Sequence, residues 1–291
     1  MTNRLELNWK LDGFVDEQRY YCSENPIDPE NFPAPKAVLA GDVRFYVDSV
    51  NIEANKTYYV AVGSVKNGVE KISEIKQIST SADQYKSYVV ALLNLNQNTN
   101  DETGKVWNSR NITYEAVIGG YAAKFTKQST RTEVYLSHAD FIIGTSDFTI
   151  EVICKVTLSA VDGDVIVDMR TGPGLSSAPV IESDSGNLYV WVNGGYKIGP
   201  FSGVINQNEM PHIALTRQAG IAKLWLKGQL LGSASYPDAI TTEVVHLGRN
   251  MGTTVATDPR YDLDGLIDAF RFTKGVARYT ENFVPPTEFI Y

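Results

Sequence analysis

The chain has 291 residues, of which 43% are hydrophobic and 21% are charged, a composition typical of folded globular proteins. Acidic residues outnumber basic ones by 34 to 26, and the resulting net charge of -8 disfavours binding to nucleic acid or to anionic membranes. No apolar run approaches the roughly 20 residues of a membrane span, and "MTNRLELNWK" lacks the apolar segment of a secretory signal. We therefore expect a soluble protein made in a cytoplasm, without membrane insertion and without a nucleic-acid partner.

Hydrophobic and polar residues alternate with period two along most of the chain, and turn residues are frequent. At the start, "RLELNW", "QRYYCS" and "VRFYV" predict short strands, separated by a Pro-rich bend. The stretch "KTYYVAVGSVKNGVEKISEI" predicts a hairpin, because Asn67-Gly68 suits a tight turn between two alternating runs. The sequence therefore predicts an all-β protein.

Residues 1–80 resemble a fibronectin type III domain in strand order, in an early tryptophan and in the pattern Tyr-x-Val-x-Val before the last hairpin. The resemblance implies a small immunoglobulin-like sandwich, in which the hydroxyl of Tyr58 bonds back to the main chain. One departure is that "LELNW" matches the second strand of the family, so that the first strand is missing. Two interpretations stay open: a truncated sandwich with an open edge, or an edge completed by a strand of another chain.

The polar stretch "STSADQYK" predicts a domain boundary, with a linker at residues 81–85 and a second domain at residues 86–291. In the second domain "DFTIEVICKVTL" alternates as a strand does, and further hairpins with Gly-containing turns follow. The two cysteines, Cys22 and Cys154, fall in different domains. We therefore expect two buried thiols rather than a disulfide.

Six segments of the second domain occur in a characteristic order: "VALLNLN", "DFTIEVICKV", "PHIALTR", "LWLKGQLLG", "VVHLGRN" and "LDGLIDAFRFTKGVARYTENFVPPTE". Their order resembles that of laminin G-like domains in the concanavalin A-like lectin and glucanase superfamily, over residues 86–291. The last segment is similar to the version common in structural proteins of tailed bacteriophages. The resemblance implies a larger jelly-roll sandwich after the small one, in a protein of the virion.

The same resemblance implies a function. It favours a noncatalytic tail protein that contributes to recognition of a host-surface glycan or to adhesion, localised in the virion and oligomeric there with other virion proteins. Capsid decoration is one alternative, because tails and capsids both carry such domains as surface appendages. A glycan-cleaving enzyme of the same fold is the other.

The enzymatic alternative depends on carboxylates. Superfamily members that cut β-glucans carry Glu-x-Asp-x-Glu on one strand, which projects the carboxyls on one face, and retaining hydrolysis needs two carboxyls roughly 5 Å apart. In "YDLDGLID" only Asp262 and Asp264 could share a face, there is no Glu, and Asp264-Gly265 is typical of a turn. Asp268 is predicted to accept backbone hydrogen bonds at the start of the last strand. The sequence therefore favours a protein that is not an enzyme.

Calcium is a candidate ligand of the loop "NMGTTVATDPRYDLDG", because hard cations take several oxygen ligands. Asp258, Asp262 and Asp264 could supply them. The loop lacks the ligand ladder of a calcium-binding loop, surface aspartates are ordinarily solvated, and the three histidines have no metal-binding spacing. We expect no required cofactor and leave calcium as an open alternative.

Sugar binding needs exposed aromatic rings, against which the apolar face of a pyranose can stack. Tyr189 and Trp191 alternate with aliphatic residues of the same strand, and Tyr196 follows the Asn-Gly-Gly turn. These three aromatics are the predicted glycan platform. The alternative is that one row is core and the other lines a solvated sheet or a partner interface. Trp225 lies between two leucines, and the sequence leaves its role equally open.

Overall fold

The computed structural model describes residues 5–53, 56–80, 83–127, 131–158, 162–252 and 259–289. Within these ranges the secondary structure consists of strands and two short 3-10 helices, at Lys86–Tyr88 and Ala139–Phe141, which confirms the predicted all-β class. The described residues contain no helix that could serve as a membrane span. The chain divides into two compact units, residues 1–83 and 84–289.

The described residues of the first unit form two sheets. The strands are β1 (Leu5–Asn8), β2 (Glu17–Ser23), β3 (Ala37–Ala40), β4 (Phe45–Asp48), β5 (Thr57–Lys66), β6 (Val69–Ile72) and β7 (Lys76–Ser79). β1 and β4 make a two-stranded antiparallel sheet. The other sheet has the order β3-β2-β5, and β6 and β7 pair in succession along the far edge of β5.

The core of the first unit lies between these sheets, where Leu5 and Leu7 pack with Tyr20, Tyr58 and Val60. Their burial follows from the alternation of β1 and β5, which turns every second side chain inward. The hydroxyl of Tyr58 donates to a main-chain carbonyl seven residues earlier (3.4 Å) and accepts from an N–H five residues earlier (2.8 Å). The bond from Tyr58 back to the main chain is therefore confirmed.

The described residues of the second unit form strands β8 to β22. These are β8 (Val89–Asn94), β9 (Asn108–Arg110), β10 (Thr113–Val117), β11 (Gly120–Phe125), β12 (Glu133–Ser137), β13 (Phe148–Val156), β14 (Gly163–Asp168), β15 (Val180–Asp184), β16 (Asn187–Val192), β17 (Gly195–Phe201), β18 (His212–Gln218), β19 (Ile221–Leu226), β20 (Gln229–Ser235), β21 (Val244–Leu247) and β22 (Gly265–Lys274).

These strands make two large antiparallel sheets. The eight-stranded sheet has the order β10-β11-β22-β13-β18-β19-β20, and β8 pairs with β22 as well. The seven-stranded sheet has the order β17-β16-β15-β14-β21-β12-β9. Alternate side chains of both sheets, such as Val152, Val190 and Phe270, pack into one apolar core. The predicted large sandwich is therefore confirmed.

Two-residue turns set the register of the hairpins. In each turn the first residue has φ near 50° and the second is a glycine with φ between 75° and 82°, as in a type I′ turn. Among the described residues five hairpins share this pattern: Asn67-Gly68, Ser185-Gly186, Asn193-Gly194, Ala219-Gly220 and Lys227-Gly228. The hairpin predicted from Asn67-Gly68 is thus confirmed.

Residues 276–289, the C-terminal strap, cover the outer face of the eight-stranded sheet. The N–H of Phe283 donates to the carbonyl of Gly228 (3.0 Å), and Lys223 Nζ donates to the carbonyl of Thr280 (2.8 Å). The ring of Phe283 packs against Trp225 at 5.7 Å, and Trp225 Nε1 donates to a threonine hydroxyl at 3.0 Å. Trp225 is fully buried by these contacts, so it offers no surface to a ligand.

Both cysteines are free thiols. Cys154 is buried, as predicted, and burial raises the pKa of its thiol to about 12. Cys22 is only half-buried, so the prediction of a buried thiol is wrong for this residue. The reason is its position at the end of β2, where the neighbouring strand β3 no longer covers it.

Candidate functional site

Three aromatic side chains meet on the outer face of the seven-stranded sheet. The ring centroids of Tyr189 and Tyr196 are 4.8 Å apart, those of Trp191 and Tyr196 are 5.1 Å apart, and both ring pairs are nearly perpendicular. Tyr196 is 56% exposed, Trp191 is partly exposed and Tyr189 is 5% exposed. We call these three residues the aromatic platform; its accessible surface is mainly the ring of Tyr196.

The local sequence explains why the platform forms. On β16 the aliphatic side chains turn inward to the core, so that Tyr189 and Trp191 turn outward. The Asn193-Gly194 turn then reverses the chain and places Tyr196 of β17 directly opposite Trp191. The rings of Tyr189 and Trp191 thus hold the exposed ring of Tyr196 in one orientation.

A carboxyl group lies beside the platform. Glu182 of β15 is directly opposite Tyr189 in the sheet, and the Tyr189 hydroxyl forms a hydrogen bond with it. Burial raises the pKa of Glu182 to about 7, although the bond from Tyr189 works in the opposite direction. The lack of a side chain at Gly163 makes room for it, because a Cβ there would lie 2.4 Å from Glu182 Oε1. Near neutral pH this carboxyl can therefore donate or accept a hydrogen bond.

Sequence reasoning missed Glu182. The available signal was the Glu-x-Asp spacing of Glu182 and Asp184 in "IESDSG", one strand before the aromatic residues. Two residues apart on β15, these carboxyls project on the same face. Both are partly exposed.

A polar strip continues from the platform across the sheet. Asp168 of β14 lies two strands away from Trp191 in the same row of cross-strand partners. Arg170 donates to both oxygens of Asp168 (2.9 and 2.6 Å) and to Asn250 Oδ1 (2.9 Å). Arg170 is 9% exposed, and Asp168 is fully buried. The strip thus places buried, mutually bonded polar groups in the same sheet as the platform.

The predicted calcium ligands have separate surroundings. Asp262 is fully buried, and Arg249 Nη1 donates to both of its oxygens at 2.6 and 2.7 Å. Asp264 is partly exposed, and Asp258 lies outside the described residues. Among the residues that the structure describes, no three His, Cys, Asp or Glu side chains form a metal-binding group. The carboxylate of Asp262 is thus engaged by Arg249, and calcium binding stays an open alternative.

Two expectations about the same stretch are wrong. β22 begins at Gly265, so Asp264-Gly265 leads into a strand instead of forming a turn. Gly265 permits this because a Cβ there would lie 2.1 Å from the carbonyl oxygen of Lys155 on β13. Asp268 is consequently the fourth residue of β22 and does not start it.

A second group of ionisable side chains lies beneath the C-terminal strap. Arg271 donates to both oxygens of Glu151 (2.7 and 3.0 Å), the Tyr279 hydroxyl donates at 2.6 Å, and His212 Nε2 lies at 3.1 Å. Burial alone would raise the pKa of Glu151, but the Arg271 charge and the hydrogen bonds hold it well below its usual range. Glu151 is fully buried, so we interpret this group, the Glu151 network, as structural.

A family model described as the concanavalin A-like lectin/glucanases superfamily matches residues 129–278, about half of the chain. The chain belongs to this superfamily. The membership predicted for the second domain is confirmed over these residues, and concanavalin A-like domains include both lectins and glucanases. No curated protein matches the chain in sequence.

Several solved structures are similar in fold. The botulinum neurotoxin serotype D/C binding domain has 14% identity and a TM-score of 0.52, over 67% of this chain and 50% of that one. The binding domain of Paraclostridial Mosquitocidal Protein 1 has 14% identity and a TM-score of 0.52, over 67% and 51%. A botulinum neurotoxin type C structure has 12% identity and a TM-score of 0.51, over 66% and 49%; its description states that cell entry depends on two ganglioside molecules. The chain spans about half the length of these structures.

Proposed function

We propose that the second unit is a noncatalytic carbohydrate-binding domain, and that its ligand stacks on the aromatic platform. The observation that carries this proposal is the exposed ring of Tyr196, fixed by two further rings beside the carboxyl of Glu182. A pyranose offers an apolar face to such a ring and hydroxyls to nearby polar groups. Membership of a superfamily that contains lectins supports the same function.

The burial of Glu151 and Asp262 against arginines supports a noncatalytic role. A hydrolase needs an acid and a second carboxyl facing the scissile bond. Glu151 is covered by the strap and bound to Arg271, and Asp262 is bound to Arg249. Glu182 and Asp184 are accessible beside the platform, and we assign them the hydrogen bonding of sugar hydroxyls. Incubation with a bound glycan should accordingly release no new reducing ends; their release would favour the glycan-cleaving alternative.

Replacing Tyr196 or Trp191 by alanine should weaken glycan binding at least tenfold, which corresponds to about 1.4 kcal/mol. The Tyr196 variant removes the stacking surface, and the Trp191 variant removes its support. Binding is first surveyed on an array of bacterial surface polysaccharides, and affinities for the hits are then measured by calorimetry.

The matched control is Tyr121→Ala. Tyr121 is 39% exposed and belongs to β11 of the other sheet, so its loss should leave the affinity unchanged. The proposal fails if the wild-type protein binds no polysaccharide on the array, or if all three alanine variants bind as tightly as the wild type.

We also propose that the protein is a virion component made in a host cytoplasm, located in the tail and assembled as an oligomer with other virion proteins. The support is the resemblance of "FRFTKGVARYTENF" and the following prolines to tailed-phage structural proteins. A platform that binds surface glycans suits a protein of the tail, the part of the virion that would contact the host surface. In a virion reconstruction we expect its density at the tail tip or fibre. Density on the capsid would favour decoration instead, and absence from purified particles would contradict both.

A further inference from the structure

The first unit has a strand edge with outward-facing main-chain groups. Within the described residues, β1 pairs with β4 alone. The N–H of Trp9 donates to the carbonyl of Arg44 (3.2 Å). In this register, residues 5, 7 and 9 are the ones whose main-chain groups form hydrogen bonds with the strand of β4. Since antiparallel strands alternate in this respect, the N–H and C=O of Asn8 point away from β4. They are placed to pair with a further strand.

Beside this edge lies an apolar groove of about 470 Å³. Its apolar lining comes from β1 and the residue after it, through Leu7 and Trp9, and from β5, through Val60 and Val62. Leu7, Trp9 and Val60 pack in the core between the two sheets, and Val62 is buried as well. The indole Nε1 of Trp9 is buried and has no acceptor among the described residues, a state that costs about 1–3 kcal/mol. The groove is thus an opening into the core.

The groove exists because the two sheets differ in width. At about 4.8 Å per strand, the sheet of β3, β2, β5 and β6 is roughly 19 Å wide, whereas β1 and β4 together span roughly 10 Å. The described strands of the smaller sheet therefore leave part of the larger one uncovered. One additional strand next to β1 would cover the part of Trp9 that is still exposed and would provide hydrogen-bond partners for Asn8.

The charges around the groove define the sequence that would fit. Lys10, Lys71 and Lys76 line it, and Glu74, which is bound to Lys76 at 2.6 Å, is the single acidic residue of the lining. Lys71 lies opposite Ser64 in register and hence on the same face as Val62. The groove is therefore apolar at its floor and positively charged at its rim, in a chain of net charge -8.

We infer that the first unit binds an extended segment of another protein chain, which adds to β1 as a third strand and buries alternate apolar side chains in the groove. The segment carries a net negative charge, which the lysines around the groove attract. Main-chain pairing would supply part of the affinity, and the pockets for alternate side chains would supply the specificity. This surface is independent of the proposed glycan platform. It assigns the first unit a role in attachment to a protein partner.

The test uses a synthetic capped heptapeptide of alternating Val and Glu, added to the full chain at up to millimolar concentration. We expect hydrogen exchange at the Asn8 amide to slow at least tenfold at saturation. A peptide of the same composition, with Val and Glu in separate blocks, should have no effect. Equal protection by both peptides, or no protection by either one, would overturn the inference.

Two variants separate main-chain pairing from charge. Asn8→Pro removes the outward N–H, and proline is tolerated at an edge strand in such a position; it should abolish peptide binding while the thermal unfolding of the chain is unchanged. Lys71→Glu should weaken binding of the Val-Glu peptide and favour a Val-Lys peptide. If Asn8→Pro binds as the wild type does, no strand is added at β1. A dimer with slow exchange at Asn8 in the absence of peptide would show that a second copy occupies the edge, which contradicts a foreign segment.

Discussion

Replacing Glu151 by alanine is expected to lower the free energy of unfolding of the second unit by about 3–5 kcal/mol. The Arg271 guanidinium would remain beneath the C-terminal strap without the carboxylate that now accepts two of its hydrogen bonds. Tyr279 and His212 would lose the same acceptor. For a unit of this size, each kcal/mol lowers the melting temperature by roughly 2–4 °C, so the change is large enough to measure by thermal unfolding.

The matched control is Glu115→Ala. Glu115 forms an ion pair with Lys124 at 2.8 Å, but both side chains are nearly half exposed. Water screens such a pair, and its loss should leave the stability nearly unchanged. If the Glu151 and Glu115 variants lost the same stability, the Glu151 network would not hold the strap to the sheet.

The Glu151 network should also make the second unit less stable as the pH falls. Although burial opposes ionisation, Arg271 and His212 keep the pKa of Glu151 lower in the folded chain than the ordinary 4.5 of an unfolded one. Its contribution is therefore complete above about pH 4.5 and decreases as the pH falls toward the folded pKa. The stability difference between wild type and Glu151→Ala should shrink between pH 6 and pH 3 in denaturant titrations. A constant difference would contradict this assignment.

Replacing Gly228 by alanine is expected to lift the strap from the sheet. A Cβ at this position would lie 1.9 Å from the carbonyl oxygen of Phe283, and the backbone has φ of 75°, which disfavours alanine. We expect the loss in unfolding free energy to exceed that of Gly220→Ala by about 1–3 kcal/mol, the usual cost of forced overpacking. Thermal unfolding measures both variants.

Gly220→Ala isolates the backbone effect. Gly220 has nearly the same φ, 77°, but its added Cβ would meet no atom closer than 3.7 Å. It should therefore cost only the left-handed conformation, about 1–2 kcal/mol. Fluorescence gives a second measurement: emission of Trp225 should shift to the red in the Gly228 variant, because Phe283 no longer covers its ring. Equal losses and equal spectra for both variants would show that Gly228 does not anchor the strap.

Features that depend on neighbouring residues could be predicted from the sequence. Period-two alternation gave the all-β class and placed Tyr189 and Trp191 on the face opposite the aliphatic residues of β16, and the Asn67-Gly68 pair gave a hairpin. The bond from Tyr58 to the main chain also spans few residues. In each case, backbone geometry within a short stretch decides the outcome.

Features that depend on distant segments could not be predicted. Trp225 and Trp191 have similar neighbours in sequence, yet Trp225 is buried because Phe283 packs over it from the strap. Glu151 and Arg271 are 120 residues apart, and only the pairing of β13 with β22 brings them together. The fibronectin type III assignment of residues 1–80 and the linker at 81–85 stay predictions.

The aromatic platform is rigid before a ligand binds, because its rings pack nearly perpendicular to one another. Tyr196 follows a two-residue turn and is braced by two rings, so little conformational freedom is lost when a ligand arrives. One mainly exposed ring still offers a small contact area, and a single copy would release its sugar quickly. Several copies of the domain, held together and bound to one repetitive polysaccharide, would dissociate one at a time. A dissociated copy would rebind while the others stayed bound, which raises the avidity by roughly 10²–10⁴. The strength of attachment would then be set by the spacing of the copies.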